Sequence, residues 1–277
     1  MMPIIPDYSW NVFRYLGDTL HAVSVLVVLF TLLKNQHSRG LSFKTQFFYL
    51  LIFLTRYLDL WSATHSAHSS YLILFKIFYI ISSATIVILM RRWAATIETS
   101  KDTCSYLFVL VPCALAALVS LLGSKTSQHT PTLFCWIFSE FLEAFAMLPQ
   151  YIFTYRQDSE QKRSDKGVFL FICLVGVYRV LYAFNWIFKR AMLGSAYTDT
   201  VSWIGGLIEI ALFFDFIVNR NFLRLIVLSL DSRVNEFTQQ IELTVFTNNS
   251  QSEHIVAGLR NRKFGNGIET DETMLMI

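Results

Sequence analysis

The chain has 277 residues, of which 54% are hydrophobic and only 16% are charged. Soluble domains are typically about 45–50% apolar and about 25% charged, so the composition excludes an ordinary soluble protein and favours one that crosses a membrane several times. The formal net charge of +3 is too small to indicate a nucleic-acid partner. The four cysteines form no C-x-x-C pair, and we expect them to be packing residues.

Seven apolar segments follow one another along the chain, each close to the roughly 20 residues that cross about 30 Å of hydrocarbon as a helix. We predict spans at residues 13–33, 45–62, 71–90, 104–123, 132–154, 168–188 and 200–228. The predicted fold class is therefore all-α: a polytopic membrane protein with seven transmembrane helices joined by short polar loops.

The distribution of lysine and arginine predicts the orientation, because cytosolic loops are enriched in both residues. The first, third and fifth loops together hold ten of them, whereas the second, fourth and sixth hold three. We therefore expect a lumenal amino terminus and a cytosolic carboxyl terminus. Residues 1–230 would form the membrane domain, and the polar residues 231–277, which lack a sustained period, would form a mostly disordered cytosolic tail.

A weak internal repeat divides the membrane domain. Segment two contains the pair Arg56-Tyr57, and segment six contains the pair Tyr178-Arg179 at a corresponding place. This predicts two three-helix bundles, segments 1–3 and 5–7, with segment four as the connecting helix. Proteins built from such repeats place their binding site between the halves, near the middle of the membrane.

The stretch L-T-R-Y-L-D-L-W (54–61) places Arg56 and Asp59 inside an apolar run. A charge near the bilayer centre costs about 2.5–3.5 kcal/mol and normally marks a binding site or a pathway. Three residues apart on a helix, the two side chains would share one face. Two interpretations follow: a self-neutralising structural pair, or part of a ligand site.

Further ionisable and polar residues lie within the predicted helices. In segment one, the spacing i, i+4, i+7 is followed by Arg14, Asp18 and His21. In segment six, the spacing i, i+4, i+7, i+11 is followed by Tyr178, Tyr182, Asn185 and Lys189. Segments three, five and seven add Lys76, Glu140, Glu143, Glu209 and Asp215. We expect some of these to form structural pairs, for example Glu143 with Arg179.

Four intramembrane cations would together form one cavity, which is more than fold stability alone favours: Arg14, Arg56, Arg179 and Lys189. Arginine is suited to bidentate capture of carboxylates. We therefore predict a cationic, aromatic-lined cavity, open to the lumen, that binds a short acidic peptide with a free carboxyl end. Asp59 would bind the positive group of that peptide.

The sequence favours no catalytic chemistry. It contains no G-x-S-x-G, no H-E-x-x-H and no glycine-rich phosphate loop, so we expect that the protein is not an enzyme and needs no cofactor. His65 and His68 lie three residues apart without a third ligand, and solvated side chains are the better interpretation than a metal site.

Four motifs occur in the order N-V-F-R-Y-L-G-D (11–18), T-R-Y-L-D-L (55–60), F-L-E-A-F-A-M-L-P-Q (141–150) and G-V-Y-R-V-L-Y-A-F-N-W-I (176–187). Together they resemble the KDEL receptors, the ER lumen protein-retaining receptors. The resemblance implies a SWEET-like (PQ-loop-like) fold in the membranes of the endoplasmic reticulum and Golgi. It also implies capture of the C-terminal H/KDEL signal of escaped ER proteins in the acidic Golgi, return in COPI vesicles, and release at the neutral pH of the ER.

The resemblance also assigns roles by motif position. Arg14 and Arg56 would hold the terminal carboxylate of the signal. Its positively charged first residue would be bound by Asp59, helped by Tyr57, with Trp136 stacked on it in a cation–π contact. Arg179 and Lys189 would meet the acidic side chains of the signal. Tyr182, Asn185 and Trp186 would complete the wall of the site.

A pH-sensitive element is implied as well. His21 and Tyr178 would form it, and Glu143 would pair with Arg179 in the empty state. Histidine suits this role because its unperturbed pKa near 6.5 lies between Golgi and ER conditions. Asp215 would belong to a conformational switch on the cytosolic side.

The sequence departs from the family in three places. Leu133 stands where the family has glutamate, three residues before the tryptophan. We therefore expect a signal that begins with histidine, or one whose first residue is less strictly specified. Lys189 replaces an arginine and lacks its planar fork. The tail lacks the family's lysine cluster, and we expect COPI contacts through the cytosolic loops and this tail.

Two alternatives remain open at this point. One is a SWEET-like or PQ-loop-like transporter of a small anion or sugar, although a sugar route needs few fixed charges. The other is a degenerate family member that acts as a scaffold through its tail, for which the changes at Leu133 and Lys189 give some support.

Overall fold

The computed structural model describes residues 11–58, 60, 67–123, 131–159, 165–194 and 199–219, together with scattered positions between 229 and 244. Within these ranges the regular structure is helical, with no strand. The chain divides into two units, Met1–Asp231 and Ser232–Ile277. The described residues of the second unit, which fall between 232 and 244, are helical, while most of the tail for which we predict disorder lies outside the described residues.

The first unit contains eight described α-helices, a 3₁₀ turn and a π-helical turn. The helices are α1 (Val12–Asn35), α2 (Phe43–Arg56), α3 (Ala67–Arg92), α4 (Tyr106–Gly123), α5 (Pro131–Ala146), α6 (Leu148–Ser159), α7 (Lys166–Leu193) and α8 (Thr200–Phe214). The 3₁₀ turn Ala94–Thr96 follows α3, and the π-helical turn Asp215–Asn219 continues α8.

Side-chain caps explain where several of these helices begin. Asn11, Ser42, Asp165 and Asp199 each precede a helix and accept a hydrogen bond from a backbone N–H of its first turn. Such caps satisfy donors that have no partner within the helix. At the other end of α1, Gln36 adopts a left-handed conformation and donates its N–H to the Leu32 carbonyl, which is a common way to end a helix.

Among the described residues, six helical stretches are long and apolar enough to cross a membrane. The predicted second span differs, because α2 has 14 residues and ends at Arg56, which corresponds to about 21 Å of helix. The predicted fifth span consists of α5 and α6, separated by a turn at Met147. Pro149 explains this break, since it has no N–H to donate to the carbonyl four residues earlier.

The principal contacts between helices bring five of them around one buried region. α1 packs mainly on α7, and α2 packs on α5. α3 contacts both α1 and α2, while α8 contacts both α5 and α7. α4 packs on α5. Residues from α1, α2, α5, α7 and α8 therefore face one another in the interior.

Two glycines allow α7 and α8 to approach closely. A Cβ atom on Gly206 would lie 2.2 Å from a ring carbon of Trp186, and one on Gly176 would lie 2.2 Å from the ring of Phe213. Neither position tolerates a larger side chain without displacing an aromatic ring. Gly206 thus leaves the space that Trp186, one of the predicted site residues, occupies.

A second polar region joins the loops at one end of the bundle. The Gln150 side chain accepts a hydrogen bond from the Ser42 N–H (2.9 Å) and donates one to the Gly40 carbonyl (3.0 Å). Asp102 accepts hydrogen bonds from the Ser42 hydroxyl (2.8 Å) and from the Lys44 N–H. Burial raises the pKa of the Asp102 carboxyl, and the Ser42 hydrogen bond partly opposes this. The network ties the loop between α1 and α2, and the loop before α4, to α6.

Candidate functional site

Arg56, the last residue of α2, is surrounded by oxygen atoms from α5. Its Nη1 lies 2.7 Å from Glu143 Oε2, its Nη2 lies 3.2 Å from Glu140 Oε1, and its Nε donates to Ser139 Oγ at 3.1 Å. Because Ser139, Glu140 and Glu143 follow one another over little more than one helical turn, one face of α5 contacts all three nitrogens of the guanidinium group.

Glu143 links this arginine to a second one on α7. Its Oε1 lies 2.7 Å from Arg179 Nη2 and accepts a hydrogen bond from the Tyr178 hydroxyl at 2.8 Å. Arg179 Nε lies 2.5 Å from Glu209 Oε2 on α8. The ion pair that the sequence predicts between Glu143 and Arg179 is present, and each of these residues also has a second partner of opposite charge.

These five residues, which we call the charge cluster, carry two positive and three negative formal charges: Arg56, Arg179, Glu140, Glu143 and Glu209. The side chains of Glu143, Arg179 and Glu209 are no more than 5% exposed. Desolvation of buried ions costs several kcal/mol each, and mutual attraction offsets this cost only with good geometry. Because the cluster carries an excess negative charge, its ion pairs should rearrange when a further anion binds or a proton is gained.

His21 on α1 lies beside the charge cluster, within a set of aromatic rings. Its ring is stacked on Tyr178 with centroids 4.2 Å apart and planes within 2° of parallel. Tyr79 lies on another side at 4.8 Å, and His21 itself is buried. A cavity of about 10 Å³ adjoins His21, Gln46 and Tyr49, which is close to the smallest space that holds one water molecule.

Asp18, one turn before His21, forms a second polar centre. Its carboxylate accepts hydrogen bonds from the Tyr182 and Tyr71 hydroxyls, the latter at 3.2 Å. The positive charges of Arg14 and Lys189 also act on this carboxylate. Four side chains from α1, α3 and α7 therefore converge on Asp18, including three of the predicted site residues.

The remaining predicted residues are distributed around these two centres. Asn185 accepts a hydrogen bond from Asn11 at 2.8 Å. Trp186 is buried, with its ring at an edge contact 6.3 Å from Tyr182. Tyr57 caps α2 and stacks on Phe53, with the Lys76 ammonium group 5.7 Å from its ring.

Two predicted residues stand apart from these contacts, and a third cannot be placed. Trp136 is half-buried on α5, one turn before Ser139, and its carbonyl accepts the Ser139 hydroxyl. Asp215 begins the π-helical turn after α8. Asp59 lies outside the described residues, so its predicted pairing with Arg56 stays a prediction, while the observed partners of Arg56 come from α5.

Sequence reasoning did not assign Glu140, Glu209 or Asp18 to the site. The spacing places Asp18 on the same helix face as Arg14 and His21, and this alone would have justified assigning Asp18 to the site. Glu140 and Glu209 were visible as carboxylates within apolar helices. Counting buried acids against buried bases would have identified both as partners for the arginines.

Within the described residues, no group of three or more His, Cys, Asp or Glu side chains is arranged to hold a metal ion. The charge cluster mixes arginines with its carboxylates, and a cation there would meet repulsion from both guanidinium groups. The arrangement suits an anion that exchanges with a carboxylate on an arginine.

The apolar helices and the charge cluster between them define a polytopic membrane protein with ion pairs in its interior. Comparison with known proteins identifies the family. Residues 37–189 match the family model described as ER lumen protein retaining receptor, and the chain belongs to that family.

Named relatives agree with this assignment. The ER lumen protein-retaining receptor of Entamoeba histolytica is 32% identical over 208 residues, which cover 75% of this chain and 91% of the relative. Receptor A of Arabidopsis thaliana is 34% identical over 209 residues, and the Drosophila melanogaster receptor is 32% identical over 206 residues. In both of these cases 74% of this chain and 91% of the relative are covered.

Proposed function

We infer that the protein is a retrieval receptor that binds the C-terminal H/KDEL-type signal of ER-resident proteins. The observation that carries this proposal is the pair of arginines, Arg56 and Arg179, joined through Glu143 in a chain whose relatives are named ER lumen protein-retaining receptors. A peptide ending in acidic residues and a free carboxylate offers the anions that such arginines bind in a bidentate manner.

The terminal carboxylate of the signal would bind Arg56 and Arg14, and its acidic side chains would meet Arg179 and Lys189. Tyr182 supports this arrangement, because it connects α7 to Asp18 and so positions one wall of the site. Asn185 and Trp186 complete that wall. Asp59, Tyr57 and Trp136 would recognise the positive first residue of the signal, with the aromatic rings contributing cation–π attraction.

Binding would be stronger in the acidic Golgi than in the neutral ER. His21 supports this proposal, since its ring lies parallel to Tyr178, whose hydroxyl donates to Glu143. A proton gained by His21 would therefore act on the carboxylate that holds both arginines. Histidine is the side chain that ordinarily changes charge between pH 5 and 8.

The finer architecture belongs to the same proposal. α2 would be a seventh spanning helix, and two three-helix units would surround the site. The contacts support this, because the third helix of each three-helix bundle packs on the other two. In the first bundle α3 packs on α1 and α2, and in the second α8 packs on α5 and α7. Between units, the first helix of one packs on the second of the other, α1 on α7 and α2 on α5, as expected of a repeat.

The basic loops support a lumenal amino terminus and a cytosolic carboxyl terminus. The protein would cycle between Golgi and ER with COPI vesicles, contacted through its cytosolic loops and tail, and Asp215 would take part in the cytosolic switch that exposes those contacts.

A peptide titration tests the proposal. Purified full-length protein is titrated with HDEL-ending and KDEL-ending peptides at pH 6 and pH 7.4, and with the same peptides amidated at the carboxyl end. We expect saturable binding that is tighter at pH 6 and is lost on amidation, with HDEL preferred because Leu133 replaces an acid. Absence of saturable binding at pH 6, or equal affinity for amidated peptides, would contradict the proposal.

A further inference from the structure

Each nitrogen of the Arg56 guanidinium group already faces an oxygen atom of α5 in the arrangement that the structure shows. Each of its three nitrogens lies within 3.2 Å of an oxygen of Ser139, Glu140 or Glu143. A carboxylate binds arginine best through two parallel N–H···O bonds. A ligand that uses both bonds must therefore displace at least one of the two glutamates from Arg56.

Glu140 is the glutamate that is easier to displace. Glu143 is shared with Arg179 and Tyr178, so its release would disturb two further contacts. Glu140 has a longer contact with Arg56, 3.2 Å against 2.7 Å, and its side chain is 12% exposed against 4% for Glu143. Its other oxygen accepts the Ser202 hydroxyl at 3.1 Å, which offers it a neutral partner on α8.

Charged groups from several helices act on Glu140. α2 contributes Arg56, α7 contributes Arg179, and Asp199 lies at the start of α8. Glu143 stands one turn away on α5 itself, and α4 contains no charged residue. Once Arg56 binds another anion, Glu140 faces two negative neighbours with its nearest cation already neutralised. A proton on Glu140 relieves this repulsion.

We propose that Glu140 competes internally with the ligand for Arg56, so that capture of the terminal carboxylate displaces Glu140 and is accompanied by uptake of one proton on it. The inference rests on the proposed function and adds a specific residue to its pH dependence. The charge balance is consistent: a ligand carboxylate brings the charge cluster from one excess negative charge to two, and one proton on Glu140 returns it to one.

The test is the pH dependence of peptide affinity in Glu140→Gln. Glutamine keeps the shape of the side chain and a partner for Ser202, but it neither carries charge nor takes up a proton. One proton bound with the ligand changes affinity by up to tenfold per pH unit. We expect Glu140→Gln to bind a free-carboxylate HDEL peptide about tenfold more tightly at pH 7.4 than the unmodified protein, with a slope of affinity against pH that is smaller by about one proton.

Two controls separate this effect from general changes in charge. The amidated peptide has no terminal carboxylate to compete with Glu140, so the gain should disappear with it. Glu236→Gln removes the same charge from an exposed position in the tail unit and should leave both affinity and slope unchanged.

The outcomes distinguish the two proposals. If the unmodified protein binds the peptide and Glu140→Gln shows the same slope or weaker binding, the role of Glu140 is refuted while the receptor function stands. If the unmodified protein binds no peptide at any pH, the proposed function itself fails. Should Glu140→Gln not fold, Glu140→Asp tests the same idea: the shorter carboxylate withdraws from Arg56, and unchanged or weaker affinity at pH 7.4 would equally refute the role.

Discussion

Replacing Arg179 by methionine leaves two buried carboxylates without their shared cation. Arg179 lies 2.7 Å from Glu143 and 2.5 Å from Glu209, and the three side chains are 5%, 4% and 2% exposed. Removing one partner of a buried pair costs about 3–5 kcal/mol, because the remaining charge is uncompensated. We expect Arg179→Met to lower the free energy of unfolding by that amount, which corresponds to a decrease of about 6–20 °C in the unfolding midpoint.

The two carboxylates differ in the partners that remain after this change. Glu143 keeps its ion pair with Arg56 and the hydrogen bond from Tyr178. Within the described part of the chain, Glu209 has no ion-pair partner besides Arg179. Adding Glu209→Gln to Arg179→Met should therefore restore at least half of the lost stability. Adding Glu143→Gln should restore less, because that change also removes a negative charge from Arg56.

Thermal unfolding of the purified protein in detergent, followed by tryptophan fluorescence, measures these effects. Lys166→Met is the matched control, since it removes a cation from an exposed position on the same helix α7 and should shift the midpoint little. The reasoning is refuted if Arg179→Met is as mild as Lys166→Met. It is equally refuted if the two glutamine changes restore stability to the same extent.

Two further predictions concern packing and the loop network. Gly206→Ala places a methyl group 2.2 Å from Trp186, so we expect a loss of about 1–3 kcal/mol of stability and weaker peptide binding. The control Gly123→Ala meets no atom within 4 Å and should change neither stability nor binding. Thermal unfolding and peptide titration measure both quantities. Gln150→Ala removes buried hydrogen bonds to the Ser42 N–H and the Gly40 carbonyl and should cost about 2–3 kcal/mol, and a change below about 0.5 kcal/mol would show that water replaces the side chain.

Spacing along single helices predicted which polar faces exist, and the structure shows two of them in contact. Asp18 and His21 lie on one face of α1, and Tyr178 and Tyr182 lie on one face of α7. Tyr182 donates to Asp18, and Tyr178 stacks on His21. Periodicity could predict these faces because it depends only on the geometry of one helix.

The partners of Arg56 could not be predicted in the same way. The sequence offers Asp59 three residues away, a spacing that brings side chains together only on a continuous helix. α2 instead ends at Arg56, and the partner with the shortest contact, Glu143, is 87 positions away. Which glutamate meets which arginine depends on how α2 and α5 pack, and nothing in the local pattern specifies that packing.

The shared position of Glu143 has a consequence for recognition. It contacts Arg56 at 2.7 Å through one oxygen and Arg179 at 2.7 Å through the other. In the proposed function, these arginines bind different parts of the signal: the terminal carboxylate and an acidic side chain. When a ligand anion neutralises Arg56, Glu143 loses part of its attraction to that residue, and its interaction with Arg179 changes as well. Recognition of the two anions should therefore be coupled rather than independent.

A cycle of four peptides measures this coupling: an HDEL-ending peptide, its amidated form, the form with its glutamate replaced by glutamine, and the form with both changes. Groups that share a partner typically show interaction energies of about 0.5–3 kcal/mol, whereas independent groups add within about 0.3–0.5 kcal/mol. We expect the two losses in binding free energy to differ from additivity by at least about 1 kcal/mol at pH 6. In Glu143→Gln, which weakens the electrostatic link between the arginines, the losses should become additive. Additive losses in the unmodified protein would mean that the two arginines act separately despite the carboxylate between them.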